Sequence, residues 1–137
     1  MRLVRKMLKM ADLKPGEVLV DLGAGDGRIV FCAAKEFGAE CIGIEIDPLR
    51  LQLCKTRAAA LGLEDKVSMV WGNFFELDLS AADVVTFYLS QAAADKLASK
   101  LKSELRPGAR VVSNRRPLPG WEPSRVDRLD RLYMYTA

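Results

Sequence analysis

Short apolar runs alternate with amphipathic segments along most of the chain, and this alternation limits the possible folds more than any other feature. The apolar runs are continuous, as expected for strands covered on both faces, and they span residues 17–22, 41–46, 67–71, 83–88 and 109–113. Helical spacing of apolar residues occupies 3–11, 29–37, 48–61 and 94–105. The sequence therefore predicts an α/β fold with a doubly wound, mostly parallel sheet and helices on both faces.

The C-terminal part departs from this alternation. Residues 116–123 contain three prolines and a glycine, which predict a loop. Residues 125–136 then predict one or two strands with no helix between them, and the runs 126–130 and 131–135 leave almost no room for a turn. Since the 137 residues show no break in composition, we expect one domain, residues 1–137.

Composition excludes several classes of protein. Histidine is absent, which removes the commonest general base and the commonest metal ligand. Three cysteines, Cys32, Cys41 and Cys54, form no CxxC pair, so we expect buried thiols in a reducing compartment and no metal. No apolar run approaches the roughly 20 residues that span a bilayer, and the basic start MRLVRKMLKMA is not a secretory signal. We expect a cytoplasmic protein with no membrane partner.

Three glycines at alternate positions follow the first predicted strand, in the stretch VDLGAGDGRIV. Backbone without side chains can approach a ligand closely, and ligands of doubly wound sheets bind beyond the carboxyl ends of the strands. The spacing G-x-G-x-G differs from the dinucleotide fingerprint G-x-G-x-x-G, whose third glycine is replaced here by Arg28. Because Asp21 and Asp26 would repel a pyrophosphate, the stretch favours a ligand with a positive centre, although Asp26 alone is equally compatible with a helix cap.

A second acid ends the next predicted strand. Glu45 lies 18 residues after Gly27, where a carboxylate can accept hydrogen bonds from both hydroxyls of a ribose. A nucleoside that carries a cationic group and no phosphate matches S-adenosylmethionine, whose sulfonium holds a transferable methyl group. The sequence therefore predicts a site for S-adenosylmethionine, with S-adenosylhomocysteine as the product.

The stretches VDLGAGDGRIV and IGIEID resemble the cofactor motifs of class I methyltransferases. Further along the chain, GNFFELDLSAADVVTFYLS, KLKSELRPGARVVS and PGWEP resemble the small archaeal protein-lysine methyltransferases and their mitochondrial relatives. The resemblance covers nearly the whole chain. It implies a Rossmann-like methyltransferase sheet of seven strands with an antiparallel C-terminal strand, and an enzyme that methylates exposed lysines of protein substrates.

The resemblance also implies a role for individual residues. Those matching the cofactor site, with Asp26 added from the spacing, are Asp21, Gly23, Gly25, Asp26, Glu45, Ile46, Asn73 and Phe74. Glu45 corresponds to the ribose ligand, Ile46 to the residue against adenine, and Asn73 with Phe74 to the adenine edge. The residues matching the end of the fourth strand, beside the transferable methyl, are Thr86, Phe87 and Tyr88. Where the family commonly has histidine after VVS, this chain has Asn114, followed by two arginines.

Methyl transfer to lysine does not require a histidine. Deprotonating a lysine of pKa about 10.4 at pH 7 costs roughly 4.6 kcal/mol, and repulsion from a sulfonium about 4 Å away offsets about 4 kcal/mol of this at an effective dielectric of 20. We expect Phe87 and Tyr88 to form an apolar wall around the amine, with the Tyr88 ring holding a cationic lysine by cation–π attraction. A core position is the alternative for Tyr88, whereas Trp71 is expected in the core and Trp121 as a loop anchor.

Three other functions stay open. An RNA methyltransferase is possible because seven arginines and three acids lie between residue 106 and the end, although TFYLS lacks the prolines of the [DN]-P-P-[YFW] motif that grips a flipped base. A small-molecule methyltransferase would need a lid for which the chain has little room. A non-catalytic partner protein that only binds the cofactor is the third alternative. We expect a monomer.

Overall fold

The computed structural model describes all residues, 1–137. Four helices and seven strands alternate in the order α1 (Arg2–Met10), β1 (Val18–Leu22), α2 (Arg28–Phe37), β2 (Glu40–Glu45), α3 (Pro48–Ala60), β3 (Val67–Trp71), β4 (Val84–Phe87), α4 (Gln91–Glu104), β5 (Arg110–Asn114), β6 (Arg125–Asp127) and β7 (Leu132–Thr136). None of these helices is long and apolar enough to cross a bilayer. The predicted α/β alternation is confirmed, with the strands β1 to β5 within one residue of their predicted bounds.

All seven strands form one sheet in the order β3-β2-β1-β4-β5-β7-β6. Strands β1 to β5 run parallel, whereas β7 pairs antiparallel with β5 and β6 pairs antiparallel with β7. The chain winds outward from β1 through β2 to β3 and then returns to β4 on the other side of β1. The carboxyl ends of β1 and β4 therefore form the switch point, where doubly wound sheets bind ligands.

Two apolar clusters cover the two faces of the sheet. One cluster joins α1, α2 and α3 to one face, with Met7, Leu8 and Val30 fully buried. The other joins α4 to the opposite face, where Leu97 and Leu101 are fully buried. Because side chains alternate along a strand, neighbouring residues belong to different clusters.

Local signals account for several element ends. Asp47 accepts a hydrogen bond from the Leu49 amide (2.9 Å) and caps α3 ahead of Pro48, as the sequence predicts. Gly38 ends α2 in the left-handed conformation, at φ 70°. Trp121 anchors the proline-rich loop, because its Nε1 donates to the Ala98 carbonyl of α4 at 2.9 Å.

Two predictions about the fold are wrong. The final hairpin has a clear turn over residues 128–131, since β6 ends at Asp127 and the Asp127 carboxylate accepts from the Asp130 amide at 2.9 Å. Trp71 is not a core residue. It ends β3, one of the two edge strands of the sheet, and is 63% exposed while its Nε1 donates to the Ile46 carbonyl at 2.9 Å.

Ion pairs join α1 to the hairpin turn of residues 128–131. Lys6 Nζ lies 2.6 Å from a carboxylate oxygen of Asp130, and Arg2 donates two hydrogen bonds of 2.9 Å to the same carboxylate. These hydrogen bonds lower the pKa of Asp130 well below its usual value. The contacts hold α1 beside the carboxyl ends of the central strands.

Candidate functional site

A cavity of about 1000 Å³ opens at the carboxyl ends of β1 and β4. Its floor is formed by residues 23–26 of the turn 23–27, which we call the glycine loop, together with Asp21, Tyr88 and Asn114. Its walls are residues of α1, of the start of α2 and of one side of α3. The cavity lies where the fold predicts a ligand, at the switch point of the sheet.

The glycine loop is shaped by backbone conformations that side chains rarely adopt. Gly23, Gly25 and Gly27 have φ angles of 73°, 60° and 81°. The amides of Gly23 and Ala24 both donate to the Ile44 carbonyl at the end of β2, at 2.9 and 3.0 Å. The loop is therefore bound to the neighbouring strand and leaves its bare backbone facing the cavity.

Glu45 holds the glycine loop in place through hydrogen bonds to its carboxylate. Its Oε1 accepts from the Gly25 amide at 2.7 Å and its Oε2 accepts from the Asp47 amide at 2.9 Å, and the side chain is buried. Cys54 also contacts the loop, since its Sγ donates to the Gly25 carbonyl at 3.2 Å. Each carboxylate oxygen retains a lone pair, so Glu45 can accept a further hydrogen bond from a ligand.

Asp21 is a buried acid at the floor of the cavity. It is 3% exposed, and the hydroxyl of Thr86 donates to its Oδ1 at 2.8 Å. Burial raises the pKa of Asp21 from 3.8 to about 7, against the lowering effect of the Thr86 hydrogen bond, and the charges of Glu45 and Asp26 raise it as well. A cationic ligand beside Asp21 would favour its ionised form.

Asp26 lies at the mouth of the cavity and serves the start of α2 at the same time. Its Oδ1 accepts from the Arg28 amide at 3.1 Å, and its Oδ2 accepts from the Arg28 guanidinium at 2.8 Å. The hydrogen bond from the Arg28 side chain lowers the pKa of Asp26. Asp26 is thus not the helix cap, because the N-cap of α2 is Gly27, which has no side chain to cap with, and Asp26 lines the cavity.

The three residues predicted beside the transferable methyl do not share one position. Thr86 is fully buried and bonded to Asp21, so its side chain cannot contact a substrate. Phe87 is fully buried in the apolar cluster on the α4 face. The prediction that its ring forms part of a wall around the substrate amine is wrong, because alternation along β4 turns Phe87 away from the face that carries Thr86 and Tyr88.

Tyr88 is the residue of this group that lines the cavity. Its side chain is 53% exposed, which excludes the core position considered as an alternative. The Arg115 guanidinium lies 5.7 Å from the centroid of the Tyr88 ring. The ring therefore already holds a cation at the edge of the cavity.

The residues predicted around adenine lie outside this cavity. Ile46 is 61% exposed beside Trp71, and Asn73 Oδ1 accepts from the Phe75 amide at 3.0 Å. Phe74 packs on the α4-side cluster, with its ring centroid 4.7 Å from that of Phe75. Of the predicted cofactor residues, the cavity thus collects Asp21, Gly23, Gly25 and Asp26, whereas Glu45, Ile46, Asn73 and Phe74 are not among its lining residues.

Sequence reasoning missed the helical walls of the cavity. Residues Arg50, Leu53 and Arg57 of α3 face it, at spacings of three and four that place them on one side of a helix. The N-cap residue Met1 and the α1 residues Leu3, Val4 and Met7 also line it. The helical spacing was readable, but nothing in the sequence says which helix face meets a cavity.

The chemical groups at the site suit a nucleoside that carries a positive charge. The loop offers backbone without side chains, the acids Asp21 and Asp26 carry negative charge, and Glu45 stands at the end of the next strand. No group of three histidine, cysteine or acidic side chains is arranged to hold a metal ion. These residues fit S-adenosylmethionine better than a pyrophosphate or a metal.

Comparisons with known proteins point to the same chemistry. Residues 21–125 match the family described as the ANTKMT methyltransferase domain. A protein-lysine N-methyltransferase of Saccharolobus islandicus is 39% identical over 94% of this chain and 81% of its own length. The mouse adenine nucleotide translocase lysine N-methyltransferase is 35% identical over 98% of this chain, which spans 59% of that relative's length.

A solved structure is equally similar. The RNA methyltransferase from Salinibacter ruber in complex with S-adenosyl-L-homocysteine superimposes with a TM-score of 0.94 and 42% identity, over 98% of this chain and 90% of that one. The relatives are all named as methyltransferases, and they differ in the substrate that their names state. The chain belongs to the family of the ANTKMT methyltransferase domain and is an S-adenosylmethionine-dependent methyltransferase.

Proposed function

We propose that the protein methylates the ε-amine of lysine side chains in other proteins. Two similar relatives are named for this activity, and one of them is matched over 81% of its length. The particular substrate in the mouse relative's name is not carried over, because the chain spans 59% of that relative. The proposal concerns the class of acceptor, which is a protein lysine.

The half-exposed ring of Tyr88 carries the proposal. It lines the same cavity as Asp21 and already faces one cation, the guanidinium of Arg115 at 5.7 Å. An aromatic face next to a carboxylate attracts an incoming ammonium and still permits its neutral form, because cation–π attraction is worth only about 0.5–2 kcal/mol. A neutral hydroxyl or thiol substrate would gain no cation–π attraction from such a ring.

The residues of the chain supply binding and orientation in this mechanism. The glycine loop, Asp21 and Glu45 would hold S-adenosylmethionine, which supplies an electrophilic methyl group on a positively charged sulfur. Tyr88 and Asn114 line the same cavity, which an amine can enter beside the cofactor. No side chain has to remove the lysine proton, since water can take it before the amine is enclosed, and alignment supplies much of the acceleration.

RNA is the second candidate acceptor. The similar protein from Salinibacter ruber is named as an RNA methyltransferase, and the arginines at positions 28, 50 and 57 line the cavity. Arginines near a nucleic-acid site bind phosphates. Against this acceptor, the end of β4 reads TFYLS and lacks the prolines that accompany a flipped base.

One labelling experiment separates the two acceptors. The purified protein is incubated with methyl-labelled S-adenosylmethionine and either nuclease-treated lysate protein or protease-treated total RNA. We expect label in protein, recovered as methyl-lysine after hydrolysis. The Gly23→Val variant is the inactive control, because φ is 73° there and a Cβ would lie 3.3 Å from Leu89 Cδ2. Label confined to RNA would overturn the lysine proposal.

The cytoplasmic location, the absence of a membrane partner and the monomeric state stay predictions from the sequence. Light scattering on the purified protein measures the molecular mass in solution. A mass of one chain, 15.2 kDa, is the expected result.

A further inference from the structure

Asn114 ends β5 at the cavity. Its neighbour Ser113 pairs with Phe87 in the last registered pair of β4 and β5, so Asn114 and Tyr88 each lie one residue further on. Alternation along the strands puts both on the face that carries Thr86 and Asp21. Asn114 lines the cavity together with Tyr88 and Asp21, and its side chain is 7% exposed.

The carboxamide of Asn114 has an unsatisfied acceptor. Its Oδ1 is the one buried side-chain nitrogen or oxygen atom of the chain without a hydrogen-bond partner. Folded proteins rarely leave such an atom unpaired, because burial removes the water that would otherwise donate to it. Asn114 lines the cavity, so a bound molecule can supply the missing donor once Oδ1, which has almost no accessible surface in this structure, turns towards it.

The backbone around Asn114 is held firmly. Asn114 pairs with Leu132 of β7, and the next amide, that of Arg115, donates to the Arg131 carbonyl at 2.7 Å. The Ser113 hydroxyl donates to the Arg116 carbonyl. The carboxamide is therefore presented from a fixed point, and rotation about its terminal torsion can turn Oδ1 towards the cavity.

We propose that Asn114 Oδ1 accepts a hydrogen bond from the substrate amine and orients its lone pair towards the methyl group. This inference rests on the proposed lysine acceptor. In the transfer, the N–C bond forms with the lone pair of the neutral amine while the S–C bond breaks, and the sulfur keeps that bond's electron pair as a neutral thioether. The methylated ammonium then releases a proton to water.

The number of N–H bonds makes this contact selective. A neutral unmodified lysine amine has two N–H bonds and a monomethylated one has a single N–H bond. A neutral dimethylated amine has none and cannot donate to Oδ1. Asn114 therefore assists the first two transfers and not the third.

Asn114→Leu tests the contact, because leucine has nearly the same size and no acceptor. The acceptors are lysate proteins before and after reductive dimethylation of their lysines. We expect transfer to the untreated proteins to fall on the order of tenfold or more, while transfer to the dimethylated proteins changes by less than about twofold. Binding of S-adenosylhomocysteine, measured by calorimetry, and the melting temperature are expected to be preserved. Gln52→Leu, which also replaces a carboxamide by leucine but at an exposed position of α3, is the control.

A second variant keeps the inference testable if leucine prevents folding. Asn114→Asp retains an acceptor oxygen but, when ionised, stabilises the ammonium form of the substrate. Its activity is expected to recover as pH rises, with a profile displaced to higher pH than that of the wild type. Equal losses on untreated and dimethylated proteins, or unchanged activity of Asn114→Leu, would overturn the inference and leave the lysine activity standing. A wild type that labels no lysine would overturn both.

Discussion

Replacing Asp21 by asparagine tests how much the raised pKa of this buried carboxyl lowers the stability of the folded protein at neutral pH. Asp21 is 3% exposed, and burial holds its pKa at about 7 in the folded protein against 3.8 as the ordinary value. Between these two pH values the folded state binds more protons than the unfolded state. The stability of the wild type therefore falls as pH rises towards 7 and levels off above it.

The expected change in unfolding free energy can be calculated for the interval from pH 5.5 to pH 8. From pH 5.5 to pH 8 the wild type should lose about 2 kcal/mol of unfolding free energy, at about 1.4 kcal/mol for each pH unit below 7. Asparagine keeps the shape and the oxygen that accepts from the Thr86 hydroxyl, but it does not titrate. The stability of Asp21→Asn relative to the wild type should therefore rise by about 2 kcal/mol over the same interval.

Urea unfolding at the two pH values measures this difference. Any pH-independent cost of the amide cancels in the comparison, and the chain has no histidine to titrate in the interval. Asp65→Asn, the same chemical change at an exposed position, should show no such rise. A stability difference between Asp21→Asn and the wild type that stays constant within about 0.5 kcal/mol from pH 5.5 to pH 8 would refute the reasoning, because it would mean that Asp21 is ionised throughout.

Three other changes have outcomes set by the structure. Gly27→Ala should lower the unfolding free energy by about 1–3 kcal/mol, measured by urea unfolding, because φ is 81° and the new Cβ would lie 2.6 Å from Phe31 Cε2. Glu45→Gln should lower stability by about 1–3 kcal/mol and weaken calorimetric binding of S-adenosylmethionine, since glutamine can accept from only one of the two amides that the carboxylate binds. Trp121→Phe should lower stability by about 1 kcal/mol in thermal unfolding, through loss of the hydrogen bond to the Ala98 carbonyl.

The parts of the fold that were predicted from the sequence depend on local chemistry. A strand buried on both faces is mostly apolar, so β1, β2, β4 and β5 are recognisable in the sequence as continuous apolar runs. The caps at Asp47 and Gly38 depend on the residue type alone. The same holds for the glycine loop, whose positive φ angles need glycine wherever the loop occurs.

The failures arose where the position in the sheet decides the outcome. Trp71 belongs to an apolar run like the others, but β3 is an edge strand and its last side chain meets solvent. The arginines at positions 50 and 57 became cavity residues through the way α3 packs on the sheet, which the sequence of α3 does not encode by itself. The turn of the last hairpin was missed because its ends are fixed by Asp127 and by the ion pairs of Asp130 with α1.

The opposite orientations of Phe87 and Tyr88 follow from strand register and from the alternation of side chains along β4. If Asp21 faces the ligand, then Thr86, which pairs with it in the register of β1 and β4, faces the same side. Residues two apart share a face, so Tyr88 must follow Thr86 and Phe87 must point to α4. The same reasoning carries Asn114 to the site, since Ser113 pairs with Phe87. The composition of this site therefore depends on strand register as much as on residue type, because a shift of one residue in β4 would exchange an aromatic ring in the cavity for one in the core.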